Sequence, residues 1–263
     1  MKKWKRIVVK VGSSTLTKEN GKINLRRIDK LVQTLSDLKN DDLEIILVTS
    51  GAIAAGLAKL NLTKRPDDIP TKQAAAAVGQ CELMYIYDKF FSEYGHCTAQ
   101  ILVTKSTFDD PIAKTNAINT LNALLKLKTI PIVNENDTIA YDEIVVGDND
   151  TLSALVAILC QAQGLILLSD IDGLYDDNPA TNPQARLIPL VEDINEETMR
   201  MAKGSSSHVG TGGMITKLHA AQIATHHGVE MIIANGKNPE ILYDILVDNK
   251  QVGPLFRTWR EKS

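Results

Sequence analysis

The chain has 263 residues, 44% of them hydrophobic and 23% charged, which is enough apolar content for a sizeable core and too much for a mainly disordered state. Twenty-nine Lys and Arg stand against thirty-two Asp and Glu, a formal net charge of -3, and aromatic residues make up only 5%. That balance argues against a nucleic-acid binder built on a strongly basic, base-stacking surface.

Cys81, Cys97 and Cys160 form no CxxC pair, so neither a disulfide framework nor a zinc cluster is spelled out, and a reducing cytoplasmic setting is expected. The basic start, Met1 to Arg6, leads into an apolar run that Lys10 interrupts, which reads as a strand rather than a leader. The most apolar stretch, Leu152 to Leu168, carries Ser153, Gln161 and Gln163 and is too polar for a bilayer span, so no membrane role is expected.

Short β-branched runs alternate with longer stretches of helical period, the pattern of a mainly parallel sheet with helices on both faces, an α/β/α sandwich. Ile7 to Val11 is the first predicted strand. Leu25, Ile28, Leu31, Val32, Leu35 and Leu38 recur at three- and four-residue steps and predict a helix with one buried face. Ile45 to Val48 returns as a strand. Gly51 to Leu60 and Gln73 to Phe91 read as helices separated by a polar loop carrying Pro66 and Pro70. Ala99 to Val103 and Ile130 to Val133 are strands flanking a helix that Pro111 starts and Leu125 ends. Ile139 to Val146 reads as a hairpin beside a cleft. Asp148 to Thr151 cap a helix running to about Gln163, Leu165 to Leu168 is a buried strand, and Asp176 to Pro189 a surface loop. Thr216 to His227 and Ile232 to Ala234 complete the pattern as helix and strand. The chain reads as a single domain with a soft boundary near residue 160.

Three constellations carry chemistry. Lys10-Val-Gly12-Ser13-Ser14 ends a strand, where a glycine lets backbone N–H groups approach phosphate oxygens beside a cation; an ordinary strand-to-loop turn is the alternative. Gly210-Thr-Gly212-Gly213-Met-Ile-Thr216-Lys217 opens a helix, whose N-terminus favours anions; a hinge would look the same. It is neither a Walker A loop nor a dinucleotide fingerprint. Asn134-Glu-Asn136-Asp137 and Gly147-Asp148-Asn149-Asp150 could bind an amine, orient lysines or hold a hydrated cation, or simply cap turns. Four histidines, His208, His219, His226 and His227, lack acidic or cysteine partners and read as solvated or packed. Cys160 reads as a small core residue.

With these motifs in order and at their spacing, joined by Val48-Thr-Ser50-Gly51-Ala-Ile-Ala-Ala-Gly56 and Ser169-Asp170, nearly the whole chain resembles the amino acid kinase family, and within it the branch that acts on glutamate. The resemblance implies ATP-dependent phosphorylation of the γ-carboxylate of L-glutamate, the opening step toward proline, with magnesium carried mainly on the ATP phosphates and no dedicated metal site. It implies that Lys10 and Lys217 flank the phosphoryl group in flight, that Asp150 holds them, and that Gly12 and Ser13 offer phosphate donors. The acceptor pocket would be Ser50, Gly51, Asp137 and Asn149, with Asn134 and Asp148 beside it. Ser169, Asp170, Thr211, Gly212, Gly213, Met214, Ile215, Thr216 and Lys217 would line the nucleotide site. The acceptor would fall to a lobe of about residues 1–160 and the nucleotide to about 161–263. Proline as inhibitor, a homodimer or homotetramer, and a chain without the RNA-modification-type PUA domain common in bacterial members are further expectations. An acetylglutamate or aspartate acceptor, or a non-catalytic amino-acid sensor, are the competing readings.

Overall fold

The computed structural model describes residues 4–18, 20–62, 64–140, 149–179, 181–204 and 213–258. Its centre is β1 (Arg6–Val11), flanked by β2 (Glu44–Val48) and β5 (Gly164–Ser169), all three parallel. Outside them lie β3 (Thr98–Val103) and β4 (Ile130–Glu135) on one side. On the other lie β6 (Leu190–Val191), β7 (Glu230–Asn235) and β8 (Leu255–Phe256). The described strands form one eight-stranded sheet in the order β3-β4-β2-β1-β5-β7-β8-β6, with only the β7–β8 pairing antiparallel.

Central strands of such a sheet are covered on both faces and must be apolar throughout. The alternation of side chains then divides the core in two. Val8, Ile46, Val48, Val133, Leu165 and Leu167 face one helical layer, while Ile7, Val9, Ile45, Leu47, Ile166 and Leu168 face the other. The first layer is made by α6 (Pro111–Lys126), α7 (Asn149–Leu159) and α9 (Met214–His226). The second is made by α2 (Leu25–Asn40), α4 (Ile69–Glu93) and α10 (Ile241–Leu246). Short helices α1 (Ser13–Leu16), α3 (Ala52–Lys59), α5 (Lys105–Asp109) and α8 (Glu196–Gly204) fill the connections.

Two predicted boundaries move furthest. Helix α4 starts at Ile69, so Pro70 lies in its first turn and not in the loop; the Asp68 side chain caps the Thr71 N–H at 2.8 Å, and a first-turn proline has no N–H to leave unpaired. Helix α7 stops at Leu159, short of Gln163, because Gln161 takes a left-handed φ of 54° and the Ala162 N–H turns back to the Ala157 carbonyl at 2.9 Å. The predicted hairpin at Ile139 to Val146 lies mostly outside the described residues; Ile139 and Ala140 sit in a turn whose N–H groups return to the Asn136 carbonyl. Elements β6, β8, α8 and α10 were not legible as elements. Cys160 is a core residue, fully buried, with burial pushing its thiol up to about 12.

Candidate active site

Ligands of open α/β sheets bind outside the carboxyl ends of the strands, where the strand order reverses. Here that point is β1, with β2 to one side and β5 to the other. Beyond these ends lies a cleft of about 1100 Å³. Its lining includes Lys10, Gly12 and Ser13 after β1, Ser50 and Gly51 after β2, Asn134 and Asp137 at and after β4, and Ser169 and Asp170 at the end of β5. Asn149, Asp150 and Lys217 enter it from α7 and α9.

Lys10 has an even number on β1, so its side chain points to the layer holding α7 and α9. There its Nζ donates to Asp150 Oδ1 at 2.6 Å, while Lys217 Nζ donates to Asp150 Oδ2 at 2.9 Å. The two lysines, separated by most of the chain, thus meet on the two oxygens of one carboxylate. Burial alone would push the Asp150 carboxyl up, but the adjacent Lys10 and Lys217 charges and their hydrogen bonds overcome it and hold the group well below the usual carboxylate range. Thr216 Oγ1 donates to the same Asp150 Oδ2 at 3.1 Å. A Cβ on Gly12 would stand 3.6 Å from Lys10 Nζ, so the missing side chain leaves room for an anion against that ammonium.

A second part of the cleft lining is built from amides and one carboxylate. Gly51 takes a left-handed φ of 96° as the N-cap of α3, which a glycine adopts without strain and which turns Ser50 toward Asn149. Asn149 Nδ2 lies 2.8 Å from Ser50 Oγ, 2.9 Å from the Thr49 carbonyl and 3.1 Å from Asn134 Oδ1. Asp137 is half-buried, makes no hydrogen bond or ion pair with any described residue, and its carboxyl is raised to about 6 by burial. Such a group can accept an ammonium.

Of the residues singled out from the sequence, Lys10, Gly12, Ser13, Ser50, Gly51, Asn134, Asp137, Asn149, Asp150, Ser169, Asp170 and Lys217 share this one cleft. Asp148, Thr211 and Gly212 lie outside the described residues. Gly213 caps α9, the Met214 side chain packs into the core, and Ile215 is exposed. Thr216 meets Asp150 rather than the cleft surface. Sequence reasoning passed over Lys18, Arg27 and Arg65, which also line the cleft, and Gln80, whose Oε1 accepts from Asn134 Nδ2 at 2.8 Å. A polar residue directly after the small apolar run Ala74 to Gly79 was the available signal for the last. His226 and His227 bond back to carbonyls of their own helix.

A model of the amino acid kinase family matches residues 5–235. A protein from Clostridium perfringens named glutamate 5-kinase is 53% identical over 97% of this chain and 96% of its own length. One of the same name from Listeria innocua is 52% identical over the whole of this chain and 96% of its own. Among solved structures, UMP kinases from Ureaplasma parvum and Bacillus anthracis each superpose with a TM-score of 0.63 at 13% identity, covering 96% and 97% of this chain and 98% and 96% of theirs. At that identity they speak for the fold alone.

Proposed function

The chain belongs to the amino acid kinase family, and from that premise we propose that it transfers the γ-phosphoryl group of ATP to the side-chain carboxylate of L-glutamate, giving glutamyl 5-phosphate, the opening step toward proline. The observation that carries this reading is the pair of ammonium groups, Lys10 and Lys217, gathered on Asp150 in a cleft whose lining also presents Asp137.

A glutamate γ-carboxyl has a reference pKa of about 4.3, so at neutral pH the nucleophile is already an anion and needs no general base. The obstacle is repulsion between that anion and a negatively charged triphosphate. Catalysis then consists of alignment and of positive charge where the transferred oxygens and the leaving ADP gather negative charge. Lys10 and Lys217 supply it, and Asp150 fixes both ammonium positions before substrate arrives. Gly12 and Ser13 leave backbone donors open to the phosphates. Asp137 receives the α-ammonium of glutamate, and Ser50, Asn134 and Asn149 define where the acceptor lies. Both Asp150 oxygens are engaged by lysines, a donor set suited to magnesium arriving on the nucleotide's own oxygens, where it would neutralise charge.

In the same reading, residues of about 1–160 serve the acceptor, and those of about 161–263 the nucleotide. Proline binds as an inhibitor at the acceptor end, which a proline titration of glutamate affinity tests. The active form is a homodimer or homotetramer, readable by light scattering. No described helix is long and apolar enough to cross a membrane, and the enzyme is proposed to work in the cytoplasm.

The test is formation of glutamyl hydroxamate from ATP, magnesium, glutamate and hydroxylamine, run beside acetylglutamate and aspartate. Product with glutamate above all is expected. Product only with another acceptor, or binding of glutamate without turnover, would overturn the proposal.

A further inference from the structure

One polar side chain reaches the acceptor wall from behind. Gln80 lies on α4, is 8% exposed, and does not line the cleft. It follows Gly79, where a Cβ would fall 1.8 Å from the Ala52 carbonyl oxygen and 2.4 Å from the Gly56 nitrogen, so α4 and α3 meet backbone to backbone at that level. This contact delivers Gln80 to the flank of Asn134.

From there a relay of amides runs to the cleft. Gln80 Oε1 accepts from Asn134 Nδ2 at 2.8 Å, and Asn134 Oδ1 accepts from the Glu135 N–H at 2.9 Å and from Asn149 Nδ2 at 3.1 Å. Two backbone groups fix its polarity. The Glu135 N–H can only donate, so it must face the oxygen of Asn134; the Thr49 carbonyl can only accept, so it must face the nitrogen of Asn149. Asn134 is left with its nitrogen toward Gln80, which can meet it only with an oxygen. Two buried atoms in the relay have no hydrogen-bond partner among the described residues, Gln80 Nε2 at one end and Asn149 Oδ1 at the other. Buried polar atoms left unpaired are rare and call for an explanation. Asn149 and Ser50 both belong to the cleft lining, and with its oxygen shielded Asn149 serves the wall through the nitrogen it holds 2.8 Å from Ser50 Oγ.

Resting on the glutamate kinase reading, we infer that Gln80 is a positioning residue for the acceptor. It holds the Asn134 amide, Asn134 directs the Asn149 amide, and Asn149 thereby keeps its nitrogen on Ser50 in the acceptor wall. Gln80 itself touches neither glutamate nor ATP.

The test is steady-state kinetics of the full chain carrying Gln80→Met, which keeps length and removes the acceptor oxygen. Leaving a buried amide nitrogen unpaired should raise the KM for glutamate by about 5-fold or more, with kcat and the KM for ATP within about 2-fold of the parent. In an Asn134→Ala background the same change should add less than about 2-fold, because the relay is already cut. Equal effects on both substrates, an unchanged glutamate KM, or a full Gln80→Met penalty persisting without Asn134 would overturn the inference. Should Gln80→Met lose its fold by circular dichroism, Gln80→Glu decides, since it retains an oxygen toward Asn134. A glutamate KM within about 3-fold of the parent supports the relay, and a larger loss in a folded Gln80→Glu protein overturns it. If the parent chain forms no glutamyl phosphate, the functional reading fails; if the parent is active and Gln80→Met matches it, only the positioning role fails.

Discussion

Lys10, Asp150 and Lys217 together carry two positive charges against one negative, in a setting where the Asp150 side chain is only 2% exposed. A buried carboxylate so held is a rigid mount, and its excess positive charge is complementary to a triphosphate. Removing either ammonium removes charge stabilisation from the transferred group while Asp150 keeps the other lysine. Lys10→Ala and Lys217→Ala are each expected to lower kcat by about 100-fold or more in initial-rate assays, with secondary structure retained. Near-parental rates would dismiss the role. Asp137 adds a pH dependence. Burial favours its neutral form, with the carboxyl at about 6, whereas an ammonium needs the carboxylate. As pH falls through that value the free enzyme loses its amine partner, so kcat/KM for glutamate should drop about 10-fold per unit below it, and Asp137→Asn should abolish that limb. For stability the sign is opposite: the folded state binds this proton more tightly than the unfolded chain, so the burial cost appears as pH rises. The lysine–glycine strand end and the two acidic loops were legible because their residue types have few uses at strand ends. Gln80 was not, since its role arises only when two helices cross.

That crossing is decided at the scale of elements. Gly56 and Gly79 let α3 and α4 touch through backbone atoms, and a Cβ at Gly56 would fall 1.7 Å from the Ala75 carbonyl oxygen. Neither helix can shift without moving the Ser50–Gly51 turn that begins α3 or the β-strand layer under α4. Gly79→Ala should therefore lower stability by about 2 kcal/mol or more in urea unfolding; an unchanged midpoint would show that the contact yields freely. The sequence periodicity located both helices, but helix α4 is apolar on much of its surface, so its pattern set neither its first turn nor its register against α3. Cap chemistry set the first turn, through Asp68 and Thr71, and the glycine contacts set the register. The short elements β6, β8 and α10 escaped notice because two to six residues span too little of any period to be read.

Across the whole molecule, one sheet carries the two lysine-bearing segments and the amide-rich wall to the same edge. β1 brings Lys10, the helix after β4 brings Asn149 and Asp150, and a helix near the end of the described chain brings Lys217. The alternation of β-branched runs with helical periods predicted such a sheet, and its parallel strands and two-sided core follow from it. Which loops would converge was not contained in the spacing; it came with the family resemblance and is visible once the strand order is known. The central claim is that a carboxylate oxygen of glutamate attacks the γ-phosphorus of ATP in this cleft. It is tested most directly with glutamate carrying heavy oxygen in its γ-carboxylate, the acyl phosphate being cleaved by hydroxylamine at its carbonyl carbon and the released phosphate read by phosphorus NMR. Phosphate bearing one heavy oxygen is expected; phosphate without label, formed at the rate of ATP consumption, would contradict the account.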